Sequence, residues 1–486
     1  MYLFWTLPAL LVIAAIASGR ISSLKAALLG LVSTVVVAMT TAPHAFPPAD
    51  AWSALWRGGW IGFVVVPYIL GGLLFWRIAF GTPHSAQTGE VALADAKIRR
   101  RLLFTACFLV GPFAESATGF GIGIIGTMLL VRRLGVPPLQ LLVFSLLSQT
   151  MILWGGMGSG AIVAAAYARA DATALAVNGS YLLVAFNVLW LPMYWRVAAR
   201  AGIGGTWGDK LSEALWLAAS LALVIGATAI LGPEVAMLAA YGPIIALRYF
   251  LDERPDREEL KRVAVRTLPF AALIAWLVIT RLSPELKTFL EHTGRMAPFA
   301  GAPGWSPWFH AGSWLIIGAL LTSLLRGQAA SLPAEFSAAW RTGHVAVFTI
   351  LAFSMMAELL SASGIAAALA RGLFENFGRW SELVIPLVSG VFGALANSGT
   401  AANGLFMSSQ VSLATEAGLN LAAVIALQHV SGLALNMVSP VRMSIVCSVG
   451  DAPGREGEVY RAMLPFVAAI VVVLMCCALL IAARIL

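Results

Sequence analysis

Apolar runs separated by short polar or glycine- and proline-bearing punctuation recur along nearly the whole of this 486-residue chain. They lie near 2–18, 24–40, 58–80, 102–131, 138–168, 176–195, 211–231, 234–251, 267–281, 310–325, 345–361, 383–408, 417–438 and 462–485. Roughly 17–25 apolar residues in a helix cross a bilayer, so the spacing predicts an all-α polytopic integral membrane protein with about 12–14 transmembrane segments. Two runs are interrupted by polar, glycine-rich stretches: Gly111-Pro-Phe-Ala-Glu-Ser-Ala-Thr-Gly-Phe-Gly121 within 102–131, and Gly393-Ala-Leu-Ala-Asn-Ser-Gly-Thr-Ala-Ala-Asn-Gly404 within 383–408. Backbone that leaves a helix at membrane depth must face protein or a watery cavity, where its freed N–H and C=O groups find partners. Paired interruptions at corresponding places in two halves point to a binding site near the bilayer midplane.

Composition agrees with the pattern: 60% of residues are hydrophobic and 11% charged, against about a quarter charged in soluble domains. The formal charge of +8 does not indicate nucleic acid, because the basic residues are spread over short loops between apolar runs. That distribution is the positive-inside pattern. The first run lacks a basic leader segment and reads as a retained span. Cys107, Cys447, Cys476 and Cys477 lie in or beside apolar runs without ligand spacing, so neither disulfides nor a metal site is expected, and no cofactor is implied.

Arg20 and Lys25 flank the first loop, the second loop (42–48) has no Lys or Arg, and the third carries Lys97, Arg99, Arg100 and Arg101. The alternation places the N-terminus outside and the first and third loops in the cytoplasm. Arg132 and Arg133 then stay inside only if 102–131 dips in and returns, so a re-entrant hairpin is predicted. Asp252-Glu-Arg-Pro-Asp-Arg-Glu-Glu-Leu-Lys-Arg262, the most hydrophilic stretch, reads as a cytoplasmic connector. The chain thereby divides into a first membrane half (1–251), a connector (252–263) and a second half (264–486), each half with about three spans before its broken segment. The halves start from opposite sides, which makes them an inverted-topology repeat. Each break is followed by an embedded Gln and a small-residue patch, Gln149 before Gly155–Gly160 and Gln428 before Asn436–Pro440, 34 residues after Glu115 and 31 after Asn397 respectively. The stretch 282–309, with Trp305 and Trp308, reads as an external interfacial loop, and 363–378 as either a short span or an interfacial helix.

Glu115 is the one charged residue between Leu102 and Val131. A carboxylate at that depth is costly without a partner or a task. Burial disfavours the charged form, which equips such a group to exchange a proton; alternatively it caps the following half-helix by accepting backbone N–H bonds. Ser116, Thr118, Gly119 and Gly121 beside it, with Gln149, are candidate substrate contacts. In the second break Asn397, Ser398, Thr400 and Asn403, with Gln428, offer donors and acceptors for a small anion or hydroxyl group, assisted by half-helix N-termini. The plainer reading is close helix packing by small residues. His429 and Glu358 are further candidates for proton coupling. Arg442 either faces the cytoplasmic surface, the reading the basic flanks favour, or reaches a substrate carboxylate.

Together, Glu115-x-x-x-Gly119-Phe120-Gly121, Asn397-Ser-Gly-Thr-Ala-Ala-Asn-Gly-Leu-Phe406 and Met437-Val-Ser-Pro440 resemble the L-lactate permease family of bacterial inner-membrane carriers. The similarity runs over roughly 102–460, specific in the motifs and loose between them. It implies proton-coupled uptake of small 2-hydroxymonocarboxylates such as lactate or glycolate by a symporter working through alternating access. The chain departs from the family pattern at Ile122-Gly-Ile124, where a Pro is usual, and at Gly399, which stands at an acidic position. Sodium coupling to another small organic anion therefore stays open, since unwound carbonyls and Asn, Ser and Thr side chains also suit Na⁺. An integral membrane transferase would need a nucleophile–base pair or a carboxylate cluster reachable from a loop, and no such pattern is present in the sequence.

Overall fold

The computed structural model describes residues 1–18, 20–80, 95–119, 121–149 and 154–486, and within them the chain is helical, with one isolated β-bridge between Met296 and Trp305. Phe120 of the first motif and Thr150 lie outside the described residues. Side-chain caps start several helices at the ends of apolar runs. Asp95 accepts from the N–H groups of Lys97 and Ile98, Asp171 from Ala174, and Thr206 and Asp209 form a reciprocal capping box. These bonds satisfy N–H groups that the first helical turn leaves free.

Contacts between helix ends define two faces of the bundle. On one, rich in arginine, Arg77 pairs with Glu335 (2.7 Å), Arg100 with Glu213 (2.7 Å) and Arg101 with Asp252 (3.2 Å). On the opposite face Trp5 donates to the Thr41 carbonyl (2.9 Å), Arg57 to Ala300 (2.8 Å) and Arg484 to Ala417 (3.0 Å). Among the described residues ten helical stretches are long and apolar enough to cross a membrane. One of them, Ile365–Ala396, turns at Gly378 (φ +57°) and only dips into the bundle. The shorter Tyr2–Ala17 and Ala311–Leu325 also run from face to face, and so do Pro138–Leu147 and Ser159–Ala168 taken together.

Two segments enter and leave by the same face. The first, 96–132, begins as helix Ala96–Thr105, continues through a π-turn at Ala106–Val110 into Gly111–Thr118, and returns as Ile122–Arg132. Arg99 Nη2 donates to the Leu134 carbonyl at 2.6 Å, which ties both ends to the basic face. The second, Ile385–Ala396 followed by Gly399–Ala417, enters from the opposite face, where Arg371 pairs with Glu416 (3.5 Å). The re-entrant hairpin read from Arg132 and Arg133 is therefore present, with a second one inserted oppositely. Helix Ile365–Phe377 lies along that opposite face: a Cβ on Gly364 would stand 2.7 Å from His44 Cε1, and one on Gly372 would stand 2.6 Å from Tyr2 Cζ. It is the interfacial alternative of the two that the sequence left open.

Each hairpin is followed by a helix broken at mid-depth. Pro138–Leu147 ends before a turn through Gly155 (φ +76°), Met157 (φ +48°) and Gly158 (φ +69°), and the chain resumes as Ser159–Ala168. Leu421–Ala434 passes through a 3₁₀ turn, Leu435–Val438, to Pro440–Val449. The small-residue patches after Gln149 and Gln428 are thus a second pair of breaks. Outside the hairpins, Pro48–Phe80 packs along Leu332–Ala362, and a Cβ on Gly58 would come 2.5 Å from the Ser354 carbonyl.

Candidate functional site

In the first hairpin Gly119 (φ +79°) and Gly121 (φ +76°) take left-handed conformations that glycine adopts without strain, between the incoming helix and Ile122–Arg132. Glu115 stands one turn earlier on the incoming arm and is 1% exposed. Its Oε1 accepts from the Gly121 N–H and its Oε2 from the Gly123 N–H, both at 3.1 Å. The capping reading of Glu115 holds, and the N-terminal end of Ile122–Arg132 adds favourable partial charge. The arms are too close for a side chain at Gly123, where a Cβ would stand 2.5 Å from the Gly111 carbonyl and 2.8 Å from Glu115 Cβ. The tip meets the first broken helix at Gly156, where an added Cβ would lie 3.0 Å from Gly119 Cα.

The second hairpin turns at Asn397 (φ +50°) and Ser398, whose Oγ caps the returning helix by accepting from the Ala401 N–H at 3.1 Å. The Asn436 amide spans the two arms, donating to the Gly393 carbonyl (2.7 Å) and accepting from the Gly399 N–H (3.1 Å) in the orientation that satisfies both. Ser439 caps Pro440–Val449 by accepting from the Arg442 N–H (3.1 Å) and donates its hydroxyl to Asn397 Oδ1 (2.9 Å).

Arg442 is the residue the sequence left undervalued. It occupies the first turn of Pro440–Val449, and because that helix starts at mid-depth, its side chain is 13% exposed and turned inward from the basic face. Its guanidinium donates to Asn397 Oδ1 (3.0 Å) and Gln149 Oε1 and lies 3.4 Å from Glu115 Oε1. A cation in the first turn of a helix faces the positive end of the dipole, so it gains from anionic and carbonyl partners. Both hairpins and both broken helices contribute one of those partners or the arginine itself.

These groups line one cavity of about 330 Å³. Of the residues nominated from sequence, Glu115, Thr118, Gly119, Gly121, Gln149, Asn397, Ser398 and Thr400 line it; Ser116, Asn403, Gln428, His429 and Glu358 do not. Ser116 donates back to the Phe113 carbonyl (2.8 Å), Gln428 donates to Ser389 (2.8 Å), and the Asn403 amide nitrogen bonds His429 Nδ1 (2.9 Å). Glu358 pairs with Arg57 at 2.8 Å near the face that holds the 293–310 loop. Glu115 and Arg442 are the two charged residues among the described lining. The starts of three half-helices, at Ile122, Gly399 and Pro440, border the same space, an arrangement that favours a bound anion. Toward the basic face the lining continues past Ile350 and Thr349, both buried, to the exposed Val345 and Thr342 and to Ser23 at the start of its helix.

Residues 307–486 match the L-lactate permease family. The chain is 22% identical to the L-lactate permease of Salmonella typhi, with 88% of this chain and 87% of that protein covered. It is 21% identical to the L-lactate permease of Escherichia coli K12 over the same shares. The resemblance carried by the motifs thus extends beyond them, through most of the chain.

Proposed function

We propose that this protein carries small 2-hydroxymonocarboxylates, L-lactate foremost, across a bacterial cytoplasmic membrane together with a proton. The observation that carries the reading is Arg442, held at mid-depth beside Glu115 in a cavity bordered by three half-helix N-termini. At about 330 Å³ the cavity is at the small end of ligand sites, which run from roughly 300 to 1,000 Å³. A carboxylate matches the planar fork of a guanidinium, and Gln149, Asn397, Ser398 and Thr400 supply partners for a 2-hydroxyl group. The names of the related proteins support the same substrate class.

Coupling follows from competition for one cation. Arg442 compensates Glu115 across 3.4 Å. An arriving substrate carboxylate takes over the guanidinium and leaves Glu115 buried without its counter-charge, a state that proton uptake relieves. Substrate and proton thus bind together, and each promotes the other by the same factor. Glu115 is the group that takes the proton, and the N–H groups of Gly121 and Gly123 keep its carboxyl in place.

The two halves, 1–251 and 264–486, act as inverted repeats that rock about this site. The cavity's lining runs out to Thr342, Val345 and Ser23 at the basic face, which the positive-inside pattern assigns to the cytoplasm. Proteoliposomes with separately imposed proton and sodium gradients test the proposal: saturable L-lactate uptake driven by the proton gradient and lost in Arg442→Gln supports it. Uptake driven by sodium alone sinks the coupling scheme, and transport of neither lactate nor glycolate sinks the substrate assignment.

A further inference from the structure

A second cavity, of about 770 Å³, opens on the basic face between the ends of Pro48–Phe80, Arg257–Leu282, Ala311–Leu325 and the start of Leu332–Ala362. Arg77, Arg262, Arg266 and Arg326 line it with Glu335, so among the described residues the lining carries four positive charges against one negative. Two of the arginines are positioned by the fold: Arg77 by Glu335 (2.7 Å), and Arg326 by donation to the Ile78 and Ala79 carbonyls (2.9 and 3.0 Å). Arg262 and Arg266 are exposed and form no ion pair or hydrogen bond among the described residues. They stand one turn apart on the same side of their helix, where like charges repel.

On that same helix Val265 is 65% and Leu268 61% exposed, an apolar stripe continuing from the arginines toward the hydrocarbon. Arginine forks suit phosphate oxygens, and basic pockets between membrane helices on the cytoplasmic side hold anionic headgroups. A positive-inside bias alone asks for basic residues in loops; it does not call for four arginines brought by three helices around one concavity with an apolar stripe beside it.

The geometry points to a binding site for an anionic glycerophospholipid, its phosphate among Arg262, Arg266 and Arg326 and its acyl chains along Val265 and Leu268. The site is separate from the central cavity and does not depend on what that cavity carries. The purified full-length protein in detergent is titrated with phosphatidylglycerol, with phosphatidylcholine of the same chains, and with inorganic phosphate, and bound species are counted by native mass spectrometry. Phosphatidylglycerol is retained in preference to phosphatidylcholine, and Arg262→Gln/Arg266→Gln weakens it roughly thirtyfold, as about 1 kcal/mol per basic residue implies. Both arginines are exposed, so size-exclusion behaviour and circular dichroism of that variant stay unchanged. Val265→Asn/Leu268→Asn, which keeps the arginines, also weakens the lipid. Equal retention of both lipids, unchanged affinity in the arginine variant, or binding of phosphate with no preference for the lipid overturns the proposal.

Discussion

Glu115→Gln separates the two carboxylates that the account sets in competition. The substitution removes the charge facing Arg442 across 3.4 Å and puts an amide where one of the Gly121 and Gly123 N–H groups needs an acceptor. At an effective dielectric of 20, two unit charges at that distance attract by about 5 kcal/mol before desolvation is counted. Stripping one partner from a buried pair costs roughly 3–5 kcal/mol. The ligand-free variant is therefore less stable than wild type, with a thermal midpoint lower by several degrees. L-lactate restores the missing negative charge and no longer displaces a competitor. If Glu115 holds Arg442 with the strength of a charge-assisted bond, about 1.5–3 kcal/mol, lactate binds roughly ten- to a hundredfold more tightly to the variant. The lactate-induced rise in midpoint, read across a concentration series by mass action, is then larger in Glu115→Gln than in wild type. Weaker lactate binding in Glu115→Gln than in wild type refutes the competition.

Other substitutions divide the cavity from its supports. Arg442→Gln abolishes lactate binding measured by calorimetry, and Arg442→Lys does not rescue it, because an ammonium cannot reproduce the fork that reaches Gln149 and Asn397 together. Asn397→Ala loses an acceptor shared by Ser439 and Arg442 and places alanine at φ +50°, costing about 1–2 kcal/mol in backbone conformation alone; lower thermal stability and reduced uptake are expected together. Gly123→Ala pushes a methyl group against the Gly111 carbonyl, so the protein is recovered in low yield or fails to bind lactate. His429→Ala leaves the Asn403 amide without its partner and lowers stability by about 1–3 kcal/mol, while the lactate dissociation constant, read by the same calorimetry, changes less than twofold because neither residue lines the cavity.

What the sequence disclosed and what it hid follow from chain geometry. Hydrophobic spacing gave the spans, and two arginines at 132 and 133 sufficed to turn a 30-residue apolar run into a hairpin, because a full crossing would have carried both across. The breaks proved narrower than the polar stretches around them: among the described residues, Gly119 and Gly121 in the first and Asn397 and Ser398 in the second stand outside the helices. Asn403 stands six residues past Asn397 on the returning helix and finds His429 on its far side. Gly155–Gly160 and Ser439-Pro440 carried the signal of a second pair of breaks in their glycines and proline. They read only as small-residue patches because the helices on either side are apolar enough to pass for one span. Arg442 was misplaced for the same reason. A residue close to a basic loop lies at the membrane surface if its helix is continuous, and at mid-depth if the helix restarts at Pro440. That distinction depends on how the chain folds in three dimensions and is invisible to a hydropathy count.

Proton uptake on substrate binding tests the central claim most directly. The purified carrier is placed in weakly buffered solution with a pH indicator, and L-lactate is added at a pH where free lactate is fully ionised. Wild type takes up close to one proton for each lactate bound, and Glu115→Gln binds lactate without taking up any. Lactate binding to wild type with no proton uptake, or undiminished uptake in Glu115→Gln, contradicts the account.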